Sequence, residues 1–230
     1  QTARQIPKEE TSINAQLLIK AGYVDKLMAG VYNYLPLGYR VIKNIQDIIR
    51  QEMNAIDSQE ILMPALHPKE NWVKTGRWDT VDILFKTKSQ TGTDYALGAS
   101  HEEVVIPLAK KFIQSYRDLP YSVYQIQTKF RDELRSKSGL LRGREFIMKD
   151  MYSFHTSPEE VTQYYNRVIG AYKNVFQRLQ LTALVVEASG GIFSKNISHE
   201  FQVVTPAGED ETLYCPKCLW AQNKEISKHW

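Results

Sequence analysis

The residue types that could do chemistry cluster in Thr128-Lys-Phe-Arg-Asp-Glu-Leu-Arg-Ser-Lys-Ser-Gly-Leu-Leu-Arg-Gly-Arg-Glu-Phe-Ile-Met-Lys-Asp150. Arg131, Arg135, Lys137, Arg142 and Arg144 surround Gly139 and Gly143, with Glu133 and Phe146 among them. A guanidinium is a rigid fork that meets phosphate oxygens two at a time, so arginines on a glycine-containing tip suit a nucleotide or an RNA end. A solvated basic loop reads the same way, because runs of charge usually face water. Ser100 and Glu102 offer a hydroxyl and a carboxylate on either side of His101, which reads as structural, and His199-Glu200 offer an imidazole and a carboxylate. Cys215-Pro-Lys-Cys218 has the spacing of two zinc ligands, but structural zinc needs four. His229 or a cysteine pair further on could complete such a set; no metal is assigned, and a redox pair lacks the strand and helix context of a thioredoxin motif.

The elements that must position these groups follow from periodicity. Apolar, strand-like runs from Tyr124 to Phe130 and from Phe146 to Phe154 flank the cationic segment, which makes it the tip of a hairpin. Along the second run Met148 and Tyr152 project to one face, alternating with Ile147 and Met151. Upstream, Ile13, Leu17, Leu18 and Ala21 mark a short helix that Gly22 can end. Ala29 to Gly38 reads as a turn-rich aromatic segment. Val41, Ile45, Ile48, Ile49 and Met53 give a helix over about 39–54 with one buried face. Ile61 to Pro68 follows as a strand that Pro64 must interrupt or place at an edge.

Glu70 to Trp78 reads as a short helix, and Ile83–Thr87 with Asp94–Gly98 as paired strands. Ser100 fits an N-cap for a helix whose face carries Val104, Val105, Leu108 and Phe112, in which Pro107 should make a kink or mark the true start. Ser157-Pro-Glu-Glu160 opens a long helix with Val161, Tyr165, Val168, Tyr172, Val175 and Leu179 on one stripe. Thr182–Glu187 and Glu200–Thr205 are further strands around Gly190-Gly191. Hairpins and long connections, without alternating βαβ units, give an α+β fold with a mainly antiparallel sheet and helices against it.

Composition sets outer limits. The chain has 230 residues, 43% of them hydrophobic, and can bury a sizeable core as one large domain or a domain plus a fragment. A net charge of +3 permits RNA contact through a local patch without requiring it. Two cysteines make no disulfide framework and favour a reducing compartment, and no apolar run reaches the length of a membrane span, so a cytoplasmic protein with no membrane partner is expected. Gln1 is not a start methionine, which suggests that residues precede it.

Arg131-Asp-Glu133, a variable loop and Arg142-x-x-x-Phe146 together resemble motif 2 of class II aminoacyl-tRNA synthetases. Arg144-Glu-Phe-Ile-Met-Lys-Asp-Met-Tyr-Ser-Phe-His155 resembles the version found in bacterial-type prolyl-tRNA synthetases. The Ala-Gly-Val-Tyr and Leu-Pro-Leu-Gly stretches before residue 39 are similar to that family as well. The likeness extends over most of the chain. It implies that Arg131 holds the substrate carboxylate and the ATP α-phosphate, as the catalytic cation. Glu133 would read the adenine amino group, Arg142 would reach the outer phosphates and Phe146 would stack on the base. Glu102, supported by Ser100 where the family has threonine, would take the imino nitrogen of L-proline. Met148 and Tyr152 would line the ring pocket, and His199 is a further candidate for substrate or for Mg2+-bound phosphate. The long helix and the strand with Pro64 resemble motif 1, which implies a homodimer with Pro64 near the two-fold axis.

The implied activity joins L-proline to ATP, releases pyrophosphate and passes the prolyl group to the acceptor end of tRNA(Pro), with ATP and Mg2+ as cofactors. Residues 1–212 would be the catalytic domain carrying motifs 1 and 2, and 213–230 the start of an insertion or connecting segment. Nothing between Thr205 and Trp230 resembles motif 3, so the chain reads as the N-terminal part of such an enzyme. Two competitors stand beside this reading. One is a class II synthetase for threonine, glycine or serine. The other is a catalytically silent paralogue that serves as a dimeric RNA-binding or accessory protein.

Overall fold

The computed structural model describes residues 2, 10–134, 139–190, 197–206 and 208–228, so the expectations for Arg135, Lys137, Gly191 and His229 lie outside the described residues. The chain divides into two compact units, Gln1–Tyr165 and Asn166–Trp230. Its elements in order are α1 (Ile13–Lys20), β1 (Val24–Met28), β2 (Val31–Tyr34), α2 (Pro36–Asn54), β3 (Gln59–Glu60), β4 (Leu66–Pro68), α3 (Lys69–Lys74), β5 (Lys86–Lys88), β6 (Asp94–Leu97), α4 (Glu102–Phe112), β7 (Tyr121–Phe130), β8 (Glu145–Phe154), α5 (Pro158–Arg178), β9 (Ala183–Ser189), β10 (Ile197–Val203), β11 (Thr212–Tyr214) and β12 (Ala221–Asn223).

The first unit is built on the β7–β8 hairpin, paired antiparallel from Tyr121↔Phe154 to Phe130↔Glu145, with β3 added parallel to β7. A second sheet has the order β4-β6-β5, and β1 with β2 forms a separate hairpin. The expected strand break at Pro64 is present and has a clear chemical form. Ile61 N–H still bonds the Tyr124 carbonyl at 2.8 Å. At Met63 side chains take over from the ladder: Gln125 Oε1 accepts from Met63 N–H at 3.0 Å and Gln127 Nε2 donates to the Met63 carbonyl at 2.7 Å. One core gathers Met63, Val105 and Val123 under Ile61, Tyr152 and Phe154, and another gathers Trp72, Trp78, Val81, Leu84, Ala96 and Ala99.

Several local expectations are corrected. The aromatic segment around Ala29 forms the β1–β2 hairpin, because Gly30 takes φ +77 in the turn and the flanking valines and tyrosines favour strands. Helix α2 begins at Pro36, earlier than its apolar stripe suggested, since proline suits a first turn. Helix α3 stops at Lys74, before Gly76 at φ +71. Strand β5 begins only at Lys86: the Ile83 carbonyl accepts from Asp132 N–H at 2.8 Å and Leu84 turns into the core.

Ser100 is not an N-cap; His101 holds that position and Ser100 Oγ donates to the Glu102 carboxylate. Pro107 neither starts nor breaks α4. It supplies no N–H to the Glu103 carbonyl four residues back, and Asn71 Nδ2 fills that acceptor at 2.9 Å. The inward face of α4 is Glu103, Val105 and Ala109, while Phe112 at its end is exposed. The buried residues of α5 are Tyr164, Ala171 and Val175; Val161 and Tyr165 face outward. Tyr164 decides this phase at the first turns, because its hydroxyl finds the Ile56 carbonyl at 3.0 Å and Ser122 Oγ at 2.9 Å.

In the second unit β9 and β10 pair antiparallel from Ala183↔Val203 to Ser189↔Ile197, and β12 joins β9 in parallel, giving the order β10-β9-β12-β11. Phe201 packs between Tyr172 and Phe176, stacked on the latter at 5.5 Å.

Candidate active site

The hairpin presents one face on which two strands place their side chains in register. Val123, Gln125, Gln127 and Lys129 of β7 stand opposite Tyr152, Asp150, Met148 and Phe146 of β8. Strand alternation put Met148 and Tyr152 on a common face, and Phe146 shares it. The polar residues at every second position of β7 form a buried network. Gln125 Nε2 donates to Asp150 Oδ2 at 2.9 Å, and Tyr152 Oη donates to the same oxygen at 2.8 Å. Lys129 Nζ, with no exposed side-chain surface, lies 2.7 Å from Asp150 Oδ1, close enough for an ion pair but off the line of a hydrogen bond. Burial lowers the Lys129 pKa, and Asp150 opposes that fall. Burial, with the charges of Glu102 and Asp150, pushes the Tyr152 pKa up and keeps the phenol protonated.

The Ser100–Glu102 turn is fastened to this face. Phe130 N–H donates to the Gly98 carbonyl at 3.0 Å, and Gly98 N–H to the Ala65 carbonyl at 2.8 Å. His101 N–H donates to Tyr152 Oη at 3.1 Å. The two neighbouring glutamates part company here. Glu103 points inward, with no exposed side-chain surface, paired to Arg77 Nη1 at 2.8 Å and accepting from Thr75 Oγ1 at 3.2 Å. Glu102 stays half-buried at the first turn of α4, with Ser100 donating to its Oε2.

Beyond Phe130 the chain delivers Arg131. Its guanidinium lies 5.3 Å from the centre of the Phe146 ring, a cation–π contact, and its backbone N–H reaches the Arg144 carbonyl at 2.8 Å. Burial lowers the Arg131 pKa, while the charges of Glu133 and Glu102 act to raise it; a guanidinium stays charged in either case. Arg131 Nε is buried without a hydrogen-bond partner among the described residues. Such a donor is what a bound anion would satisfy.

Glu133 and Arg142 hold each other, Nε to Oε2 at 3.2 Å, at the open end of the hairpin. Arg144 is taken up in structure: its Nε donates to the Glu133 carbonyl at 3.0 Å and its Nη1 to the Ala29 carbonyl at 3.0 Å. Its backbone N–H reaches Gly30 O at 2.7 Å, an approach that needs Gly143, where a Cβ would stand 2.9 Å from that same oxygen.

The structure therefore brings Arg131, Phe146, Met148 and Tyr152 to one face, with Ser100 and Glu102 tied to it and Glu133 and Arg142 at its rim. Pro64 lies in the strand gap behind the turn, between exposed Leu62 and Leu66. His199 belongs to the second unit, on β10 opposite Glu187. Sequence reasoning passed over Gln125, Gln127, Lys129, Asp150, His67 and Arg77. The signal for the β7 residues was available, since a glutamine, a glutamine and a lysine at alternate positions of an apolar strand must find buried partners. Cys215 and Cys218 sit in the turn between β11 and β12, closed by Cys215 N–H to the Trp220 carbonyl at 2.9 Å. Backbone N–H groups of Cys218 and Lys217 lower the Cys215 thiol pKa. Among the described residues no third histidine, cysteine, aspartate or glutamate joins the pair.

Residues 85–226 match the family model described as tRNA synthetase class II core domain (G, H, P, S and T). The chain is 48% identical over 225 residues to a proline--tRNA ligase of Dehalococcoides mccartyi, covering 97% of this chain and 40% of that protein. It is 44% identical over 228 residues to the proline--tRNA ligase of Bacillus subtilis, covering 99% of this chain and 40% of that protein. Its fold is similar to that of the Cryptosporidium parvum prolyl-tRNA synthetase complexed with L-proline and AMP, with a TM-score of 0.73 at 18% identity over 84% of this chain and 40% of that one. The Giardia lamblia prolyl-tRNA synthetase in complex with prolyl-adenylate gives a TM-score of 0.74 at 21% identity, over 81% of this chain and 40% of that one. At those identities the structural likeness shows the fold alone. The chain spans about 40% of the length of the curated relatives it matches.

Proposed function

The chain belongs to the class II tRNA synthetase core-domain family, and on that premise we propose that it is part of a proline–tRNA ligase, which activates L-proline with ATP and transfers it to tRNA(Pro). The observation that carries this reading is the backbone bond from Phe130 N–H to the Gly98 carbonyl, 3.0 Å, which joins the strand end bearing Arg131 to the turn bearing Glu102. A fixed cation and a fixed carboxylate on one face match the carboxylate and the secondary ammonium of proline. The names of the bacterial relatives support the choice of amino acid.

In this account a proline carboxylate oxygen attacks the α-phosphorus of ATP, the bond to the β-phosphate oxygen breaks, and pyrophosphate leaves with the electron pair. A terminal ribose hydroxyl of the tRNA then attacks the prolyl carbonyl and AMP departs. Two anions must meet in the first step, so the chain's contribution is positioning and fixed positive charge. Arg131 bridges the carboxylate and the α-phosphate. Glu102 receives the substrate ammonium through the oxygen that Ser100 leaves open. Phe146, with Arg131 against one face of its ring, offers the other to adenine; Glu133 reads the exocyclic amine and Arg142 turns to the outer phosphates. Met148 and the Tyr152 ring give the pyrrolidine its apolar contact. Mg2+, when bound with ATP, would neutralise part of the phosphate charge, adding to that supplied by Arg131 and Arg142.

Homodimer formation through motif 1 is part of the proposal. Leu62 and Leu66, 76% and 51% exposed on either side of Pro64, and the half-exposed apolar stripe of α2 suit such a contact. Residues 1–212 would form the catalytic domain, with 213–230 as the start of an insertion or connecting segment. Cytoplasmic residence fits tRNA charging, and no described helix is long and apolar enough to cross a membrane. The test is amino-acid-dependent ATP–pyrophosphate exchange across the twenty amino acids, with equilibrium binding of L-proline measured in parallel. Proline-specific exchange or binding supports the reading; a folded chain that takes another amino acid in preference overturns it.

A further inference from the structure

One acceptor behind the turn is used twice. His67 Nε2 lies 3.1 Å and His101 Nε2 3.0 Å from the Pro64 carbonyl oxygen. A carbonyl oxygen only accepts, so both rings carry their proton on Nε2 and each spends it on the same atom. The rings meet edge to face at 4.6 Å, and both side chains are fully buried. Each Nδ1 is left without a hydrogen-bond partner among the described residues. Two buried imidazoles with bare nitrogens are a costly way to fill a core, where apolar side chains of similar size would serve better. Their value must lie in the geometry they impose.

That geometry centres on His101, the residue between Ser100 and Glu102. Its N–H is held by Tyr152 Oη at 3.1 Å, its carbonyl accepts from Val105 N–H at 2.8 Å, and its ring is held by Pro64. Both polar groups of its backbone are therefore engaged. The Pro64 carbonyl is itself immobilised, because Gln125 and Gln127 clasp the preceding Met63 and His67 stacks on Trp72 at 5.9 Å. The fit has no slack at Gly98, where a Cβ would come within 2.9 Å of both imidazoles.

We propose that His101 and His67 are positioning residues for Glu102: their shared grip on the Pro64 carbonyl sets the turn that aims this carboxylate at the substrate's secondary ammonium. The inference rests on the proline-binding reading and deepens it by assigning selectivity for the ring nitrogen to a part of the fold that does not touch substrate.

The experiment compares two non-hydrolysable sulfamoyl-adenosine analogues by isothermal titration, one bearing L-prolyl and one bearing (S)-tetrahydrofuran-2-carbonyl, which has an ether oxygen in place of the nitrogen. The wild-type chain binds the prolyl analogue more tightly. H101F keeps the ring size and removes the donor, and is expected to bind the prolyl analogue about tenfold more weakly, the worth of roughly one hydrogen bond. Its affinity for the tetrahydrofuran analogue stays within about twofold of wild type. H101Q restores a donor and recovers part of the loss. H67F removes the other donor and is read in the same way, so one folded variant is sufficient. Equal weakening of both analogues, or of neither, in a variant shown to be folded by its melting transition overturns the proposal while leaving the functional reading in place. Failure of the wild-type chain to bind either analogue overturns the functional reading first and this inference with it.

Discussion

Phe130 and Gly98 are joined by a single backbone hydrogen bond of 3.0 Å, and through it the strand that leads into Arg131 meets the turn that leads into Glu102. The two candidate substrate-binding charges come from segments about thirty residues apart, yet their spacing is fixed by main chain. Long side chains are needed only for the last step to the ligand. Such a site should be sensitive to substitutions that leave the fold intact.

Arg131 tests this first. Arg131→Lys keeps the charge but loses the planar fork and the contact with Phe146, so it is not a conservative change. Binding of a prolyl-adenylate analogue should weaken roughly 10- to 100-fold, the scale of one charge-assisted hydrogen bond, with little change in the urea midpoint. Unchanged affinity in a folded variant would remove Arg131 from the site.

The adjacent glutamates should separate function from stability. Glu103→Ala removes a carboxylate with no exposed side-chain surface that pairs with Arg77 at 2.8 Å, and should cost about 3 kcal/mol in urea unfolding, the scale for losing one partner of a buried pair. Glu102→Gln should leave the unfolding curve in place and reduce proline binding. The reverse pattern would mean that the two residues had been assigned the wrong way round.

Lys129 and Asp150 carry a different expectation. Lys129→Met removes a cation with no exposed side-chain surface and leaves Asp150, among the described residues, with Gln125 and Tyr152 as its partners. Stability should fall by about 3 kcal/mol, and the Tyr152 hydroxyl that holds His101 should be disturbed with it. A variant as stable as the parent would show that the pair contributes nothing net.

The buried imidazoles make stability depend on pH with a definite sign. Burial lowers the pKa of His67 and takes that of His101 from 6.5 to about 4. Below 6.5 the unfolded chain binds protons that the folded chain refuses, so the stability these residues confer is complete above that value and drains away as pH falls towards 4. Between those two values the slope for His101 approaches about 1.4 kcal/mol per pH unit, and His67 adds to it in the same direction. Comparing urea midpoints of the parent and H101F between pH 7.5 and 4.5 isolates the term: the gap between them should change by that slope, and a constant gap would contradict it.

Much of this arrangement was legible in the sequence where a pattern had only one structural solution. Alternation gave the β7–β8 hairpin and the common face of Met148 and Tyr152, and Pro64 announced the strand gap. Where two partners competed, pattern failed. Ser100 resembles an N-cap until Glu102 takes its hydroxyl. The stripe on α5 seemed to pass through Val161 and Tyr165 until Tyr164 found two buried acceptors. Pro107 looks like a helix breaker unless Asn71 is known to serve the carbonyl that it leaves. For α5 and Pro107 the deciding contact comes from a residue distant in the chain, whereas Ser100 is decided by a carboxylate two positions on, which a capping pattern does not weigh. His67 and His101 were hidden for the same reason, since nothing local shows that they converge on one carbonyl.

The central claim is that the face formed by Arg131, Glu102 and Phe146 is a prolyl-adenylate site. Its most direct test is isothermal titration of the folded chain with sulfamoyl-adenosine analogues bearing prolyl, threonyl, seryl and glycyl groups. The account expects the prolyl analogue to bind at least about tenfold more tightly than the others, and R131K to abolish most of that affinity. Equal affinity for all four, or no binding to a chain that unfolds cooperatively, would contradict it.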